Sequence, residues 1–385
     1  RDGADVAHVQ APSPQAAWFG IGYVHAQERS WQLEFNRRLV RGTLSEILGP
    51  ATLPVDRLMR TLDLAGAARR QWANLPPAAR EALQAYSAGI AAYHQHRREA
   101  LPPEFLLLGT QRGGVEGIPW TPEDSVGWTL VMALDLGGNW GQEFTRLAMA
   151  ETLDTERLWQ LMQPYPGEKP ATATDLAALY RGLGVYRAGE GKEAAASKAA
   201  TSAVHKSDDL AAWALAFAQE AGSSEGKGSN NWVIDGRRTA SGKPLLANDP
   251  HLGLTAPAIW YFAGLQAPEG RLADGTPLPG FQVVGATLPG LPFVVLGRTD
   301  RVAWGFTNTA PDVQDLYLEQ IHPEDPTRYR TPEGWAPFSV RQERIRIKGQ
   351  ADELLSVRST RHGPVISDAQ PERHGKVLDL RRHVL

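Results

Sequence analysis

Cysteine is absent from the 385-residue sequence, which excludes thiol nucleophiles, thiolate zinc sites and disulfides together. That absence fits a cytosolic and a periplasmic protein equally. Charge of one sign is also lacking. With 40 basic and 43 acidic residues the formal net charge is -3, so neither a nucleic-acid footprint nor a polybasic membrane surface is expected. No apolar run approaches the roughly 20 residues of a membrane-spanning helix. Neither a signal peptide nor a basic tail is recognisable in this stretch. The sequence opens on Arg1 rather than Met and closes on an interrupted extended segment, Val377 to Leu385, so a processed or truncated product is expected.

Several catalytic signatures are missing too. The nearest string to a G-x-S-x-G elbow, Ala85-Tyr86-Ser87-Ala88-Gly89, lacks the first glycine. There is no H-E-x-x-H helix and no Walker loop. His94 and His96 stand two apart in a helical stretch, on different faces, and are expected to be solvated.

What is present reads as a globular chain: 42% hydrophobic and 22% charged residues can build a core, and the length suits two or three domains or one large multilayer domain. From Ala16 to about Tyr93 the pattern is helical, with Trp31, Leu33, Phe35, Leu39, Leu44, Ile47 and Leu48 recurring among Glu34, Arg37, Arg38 and Arg41. A second helical stretch runs from Ala78 to Arg98, and a third from Ser125 to Leu153 is interrupted at Gly137-Gly138. Residues 189–228 are low in complexity and read, on composition, as an interdomain linker. After Gly228 short apolar runs alternate with turn residues: Asn231 to Ile234, Leu245 to Ala247, Phe281 to Val284, Phe293 to Leu296 and Val302 to Phe306. Arg341 to Lys348 and Glu353 to Arg358 alternate as half-buried strands do. The fold class is therefore α+β or layered α/β.

Gly228-Ser229-Asn230-Asn231-Trp232 sits where the linker meets the first strand. A serine after glycine can attack the preceding carbonyl, because glycine adds no steric obstacle. Cleavage would make Ser229 an N-terminal residue whose α-amine, with a pKa of about 7.7–8.0, accepts the hydroxyl proton.

The wider string, Gly228-Ser-Asn-Asn-Trp-Val-Ile followed by Ser241-Gly-Lys-Pro-Leu-Leu-Ala-Asn-Asp-Pro-His-Leu, resembles the start of the β-chain in the penicillin acylase family of N-terminal-nucleophile amidohydrolases. Gly285-Ala-Thr-Leu-Pro-Gly-Leu-Pro and Val302-Ala-Trp-Gly-Phe-Thr-Asn extend the resemblance. Gly20-Ile-Gly-Tyr-Val-His-Ala-Gln-Glu-Arg and Arg37-Arg-Leu-Val-Arg-Gly-Thr-Leu-Ser-Glu look like its α-chain signature. The resemblance implies a four-layer αββα sandwich and one precursor that cuts itself. Residues 1–188 would form the helical α-chain, 189–228 its end and a spacer, and 229–385 the first part of the β-chain.

The resemblance also implies roles. Ser229 is the nucleophile after scission at Gly228-Ser229; His251 contacts and orients it. Asn308 supplies a main-chain N–H to the oxyanion hole, a type of donor worth about 3–4 kcal/mol of barrier. Glu143, Asp312, Gln314 (through its carbonyl) and Asp315 are implied as ligands of a structural calcium ion, one per α/β heterodimer, and such oxygen donors suit a hard cation. Leu252 and Phe306 fall at acyl-pocket positions that are an aromatic and a small residue in penicillin G acylases. That departure, with His251, points toward N-acyl-homoserine-lactone acylase activity, with a β-lactam acylase or an inactive scaffold remnant as alternatives. The family's downstream oxyanion asparagine and distal calcium ligands lie farther from the nucleophile than Leu385. A fragment of a longer protein or a remnant is thus expected. Family members are usually periplasmic, and the resemblance implies a small N-acyl substrate, no nucleic acid and no membrane span.

Overall fold

In the computed structural model, residues 1–110, 120–138, 140–150, 152–162, 175–182, 228–253, 255–308, 314–369 and 382–384 are described. The helices, in chain order, are α1 (Pro14–Arg41), α2 (Ser45–Leu48), α3 (Leu53–Leu62), α4 (Leu64–Asn74), α5 (Pro77–His96), α6 (Pro103–Leu107), α7 (Pro122–Gly137), α8 (Trp140–Met149), α9 (Thr155–Leu161) and α10 (Leu176–Gly182). The strands that matter here are β1 (Ala7–Gln10), β2 (Gly228–Ile234), β3 (Leu245–His251), β4 (Tyr261–Ala267), β5 (Gly270–Arg271), β6 (Pro277–Leu278), β7 (Phe281–Thr287), β8 (Val294–Arg298) and β9 (Ala303–Trp304). Mixed helix and sheet is thus the observed class, and a helix break falls at Gly137–Gly138 as the sequence suggests.

Two compact units divide the chain, and neither follows chain order. The first gathers Arg1–Arg41, Asp63–Leu136 and Glu225–Thr309; the second gathers Gly42–Leu62, Gly137–Ser224 and Ala310–Leu385.

In the first unit a five-stranded sheet runs β1-β4-β7-β8-β9. Strand β1 enters parallel to β4, with Ala7 opposite Ala263 and Gln10 opposite Gln266, and the other pairs are antiparallel. Along β4, Tyr261, Ala263, Leu265 and Ala267 are buried while Phe262 and Gln266 are exposed, the period-2 signature of a strand packed on one face. The buried side joins Ile21, Ala26, Leu33, Tyr86, Ile90, Tyr93 and Trp120 in one core. Helices α1 and α5 cross closely because both are glycine at the crossing. A Cβ on Gly22 would fall 2.2 Å from the Tyr86 carbonyl oxygen, and one on Gly89 would fall 2.0 Å from that of Phe19. This explains Gly22 of the Gly20-Ile-Gly signature, whereas a Cβ on Gly20 would fall 2.5 Å from Val9 Cγ1; Ala85 to Gly89 lie inside a helix with no exposed serine elbow.

Helix α1 is buried on several faces, so its charged residues do not form a solvated stripe. The Glu34 carboxylate is bracketed by Arg37 at 2.7 Å and Arg38 at 2.6 Å, with only 3% of its side chain exposed. Such burial is tolerated when a charge is paired and hydrogen-bonded. Arg41 grips Asp124 through two bonds of 2.8 and 2.7 Å. His25 is wholly buried between α1, α5 and the sheet: Nδ1 lies 2.8 Å from Tyr86 Oη and Nε2 lies 2.9 Å from Thr287 Oγ1. Burial pushes its pKa down to about 3, so it is neutral. His94 corrects the sequence expectation of a solvated residue. It is half-buried, burial lowers its pKa to about 4, and its Nδ1 has no hydrogen-bond partner among the described residues.

In the second unit, β10 (Ser339–Ile345) and β11 (Glu353–Ser359) pair antiparallel, and α3 lies against them. They alternate in burial as their sequence predicts. Arg57 binds Glu353 through two bonds of 2.6 Å, and Arg60 binds Glu343 at 2.8 Å. Asp56 accepts the N–H groups of Leu44 and Ser45 at 2.9 and 2.7 Å and caps the following turn, although burial raises its pKa to about 6.

Candidate active site

Gly228 and Ser229 open β2, which pairs with β3 so that Gly228 stands opposite His251, Ser229 opposite Pro250 and Asn230 opposite Asp249. The hairpin forms because β-branched and aromatic residues, Trp232, Val233 and Ile234, face Ala247, Leu246 and Leu245 across a turn holding Gly242 at a positive φ. The Ser229 hydroxyl donates to the Gly228 carbonyl oxygen at 2.6 Å. The nucleophile candidate therefore touches the peptide unit it would have to attack, and it polarises that carbonyl.

The pairing brings the His251 imidazole to the same place. A Cβ built on Gly228 would lie 3.9 Å from His251 Nδ1, an ordinary contact distance. Its other nitrogen, Nε2, lies 2.9 Å from Asp249 Oδ2, across an exposed surface. Asp249 carries no role in the sequence reading. Alternation along a strand is the signal that could have found it, since residues two apart share a face.

Asn308 belongs to the same unit and is tied to the end of α7: its Nδ2 donates to the Leu136 carbonyl at 2.5 Å. Two residues earlier Phe306 is exposed, and Leu252 is half-buried directly after β3. Ser229, His251, Leu252, Phe306 and Asn308 thus all fall in the first unit, on β2, at the end of β3 or directly after it, and on the segment after β9.

The expected metal ligands fall in the second unit. Glu143, on α8, accepts the Leu316 N–H at 2.7 Å, which brings its carboxylate to the segment carrying Gln314 and Asp315. Gln314 Oε1 is buried without a hydrogen-bond partner among the described residues. A buried side-chain oxygen without a partner, on the segment whose Leu316 N–H meets Glu143, is a donor type that suits a hard cation. Asp312 lies outside the described residues, and among those described no group of three His, Cys, Asp or Glu gathers as a metal centre.

The family model described as penicillin amidase matches residues 1–384. An acyl-homoserine lactone acylase, QuiP, from Pseudomonas aeruginosa is 34% identical over 93% of this chain and 38% of its own length. The penicillin acylase 2 proenzyme of Pseudomonas sp. strain SE83 is 32% identical over 99% of this chain and 44% of its own. The penicillin G acylase of Escherichia coli is 26% identical over 96% of this chain and 45% of its own. The chain therefore spans about two fifths of the length of the curated relatives it matches.

Proposed function

Because the chain belongs to the penicillin amidase family, we propose that it is the first part of a self-processing hydrolase that cleaves linear N-acyl amides through Ser229. The observation that carries this reading is the 2.6 Å contact between Ser229 Oγ and the Gly228 carbonyl, with His251 opposite in the hairpin. In scission, Ser229 Oγ attacks the Gly228 carbonyl carbon. The peptide C–N bond then breaks, with its nitrogen taking a proton, and leaves an ester that water hydrolyses. The products are a Gly228 carboxylate and a Ser229 α-amine.

In turnover the same hydroxyl attacks the substrate amide, and the α-amine takes its proton and returns it to the leaving amine. Water then releases the carboxylic acid from the acyl-enzyme. In this reading the Asn308 main-chain N–H serves as an oxyanion-hole donor, where charge develops on the carbonyl oxygen. Residues 1–188 form the α-chain, 189–228 its end and a spacer, and 229–385 the start of the β-chain, giving an α/β heterodimer. Glu143, Asp312, Gln314 and Asp315 would hold a calcium ion that fixes the second unit's loop and takes no part in the chemistry. The family resemblance supports a periplasmic location.

Leu252 and Phe306 favour an aliphatic acyl chain, and an acyl-homoserine lactone is the substrate class we favour. The penicillin acylase 2 proenzyme relative supports a second reading, a β-lactam acylase. Turnover of a long-chain acyl-homoserine lactone by the full-length gene product, set against penicillin G, tests the choice. Release of homoserine lactone with penicillin G untouched is expected, and the reverse preference would overturn it.

A further inference from the structure

Asn248 has no part in the chemistry above, yet its side-chain amide is fully engaged beside it. Nδ2 donates to the Phe306 carbonyl at 2.9 Å and to the Asn230 carbonyl at 3.1 Å, and the Phe306 N–H donates to Oδ1 at 3.1 Å. Both amide hydrogens and the amide oxygen are used, which fixes the orientation: a flipped amide would set oxygen against two carbonyls and NH2 against an N–H. The side chain replaces a rung of a sheet ladder, joining the hairpin that carries Ser229 to the segment that runs toward Asn308.

Gly305 is the matching half of this contact. A Cβ there would fall 2.7 Å from both Cβ and Oδ1 of Asn248, so only glycine lets the amide lie against the chain. The segment is held on each side as well, by Trp304 Nε1 to the Val295 carbonyl at 2.8 Å and by Asn308 Nδ2 to the Leu136 carbonyl at 2.5 Å. Two of the three bonds of Asn248 connect the hairpin with Phe306, and the third ties the same amide to the Asn230 carbonyl of β2.

We infer that Asn248 is a positioning residue that sets the distance between Ser229 and the Asn308 main-chain N–H, resting on the amidohydrolase reading above. A donor must meet the oxygen as charge develops on it, and a displacement of about 1 Å can cost on the order of 100-fold in rate.

The test uses the full-length gene product with Asn248→Asp, which keeps the size and the acceptor for the Phe306 N–H and removes both donors. Gly305→Ala disturbs the same contact from the other side. Where a variant precursor stays uncut, the two chains are co-expressed with Ser229 exposed by removal of an initiator Met, so kinetics are read in either case. The expected result for both variants is a kcat lower by on the order of 100-fold with KM within about twofold. The inhibition constant of a boronic acid bearing the same acyl chain should rise in step with the loss in kcat/KM, while that of the product carboxylate stays level. An unchanged boronate constant alongside a lowered melting temperature would make Asn248 merely structural and overturn the inference. A parent protein that neither cuts itself nor hydrolyses amides would instead overturn the reading beneath it.

Discussion

His25 Nε2 lies 2.9 Å from Thr287 Oγ1, and this bond joins the motif that begins at Gly20 to the motif that begins at Gly285. The direction of the chain of bonds is fixed at both ends. Gly290 N–H donates to Tyr86 Oη at 2.7 Å, leaving the phenol to donate to His25 Nδ1; Thr287 Oγ1 donates to the Tyr261 carbonyl at 2.7 Å, leaving it to accept from His25 Nε2–H. Only a neutral imidazole completes this chain.

Stability should therefore depend on His25 protonation. Its folded pKa, about 3, lies below the unfolded value near 6.5, so the unfolded chain binds the extra proton. The contribution is full above pH 6.5 and is lost as pH falls toward 3. The slope from this one group is at most about 1.4 kcal/mol per pH unit. Chemical denaturation at stepped pH measures it, and His25→Gln should flatten the profile.

The crossing of α1 and α5 should tolerate no side chain. Gly22→Ala and Gly89→Ala each drive a methyl into backbone and should cost about 1–3 kcal/mol or more, whereas Gly3→Ala, with open space around it, should cost nearly nothing. Thermal melts of the three variants check this.

Scission at Gly228-Ser229 should not release the first chain. Strand β1 lies parallel to β4 from Ala7 opposite Ala263 to Gln10 opposite Gln266, and Ala11 N–H continues the ladder to the Gln266 carbonyl at 3.0 Å. With the His25 bonds and the shared core, the cut chains should co-elute in size-exclusion chromatography and separate only in denaturant.

Removal of divalent cations should loosen the second unit. With Gln314 Oε1 orphaned and Glu143 bonded to Leu316 N–H two residues along, chelation should lower the melting temperature, calcium should restore it, and Glu143→Gln should be insensitive to both.

Helical stretches and the main strands are legible in the sequence because their patterns are local: helical spacing marks α5, the glycine pair marks the break at Gly137, and short apolar runs mark β2, β3, β7 and β8, while the single helical pattern from Ala16 to about Tyr93 is divided among α1 to α5. Strand β4 was not legible. Tyr261–Ala267 contains Gly264 and two alanines and lacks a β-branched run, and its place in the sheet comes from tertiary pairing with β1 and β7. The burial of Glu34, Arg37 and His94 was hidden for a related reason, since a charged residue in a helix reads as solvated until its partners are known. Ser229, His251 and Asn308 take their roles from resemblance alone. Asn248 lies in the same motif with no legible role, because its partners, the peptides of Asn230 and Phe306, have no side-chain signature.

The central claim is tested most directly by the intact mass and N-terminal sequence of the full-length gene product beside Ser229→Ala. Two chains, one beginning Ser-Asn-Asn-Trp, with the Ser229→Ala protein uncut, is the predicted result. One uncut chain in both samples would contradict the assignment of Ser229 as a self-processing nucleophile.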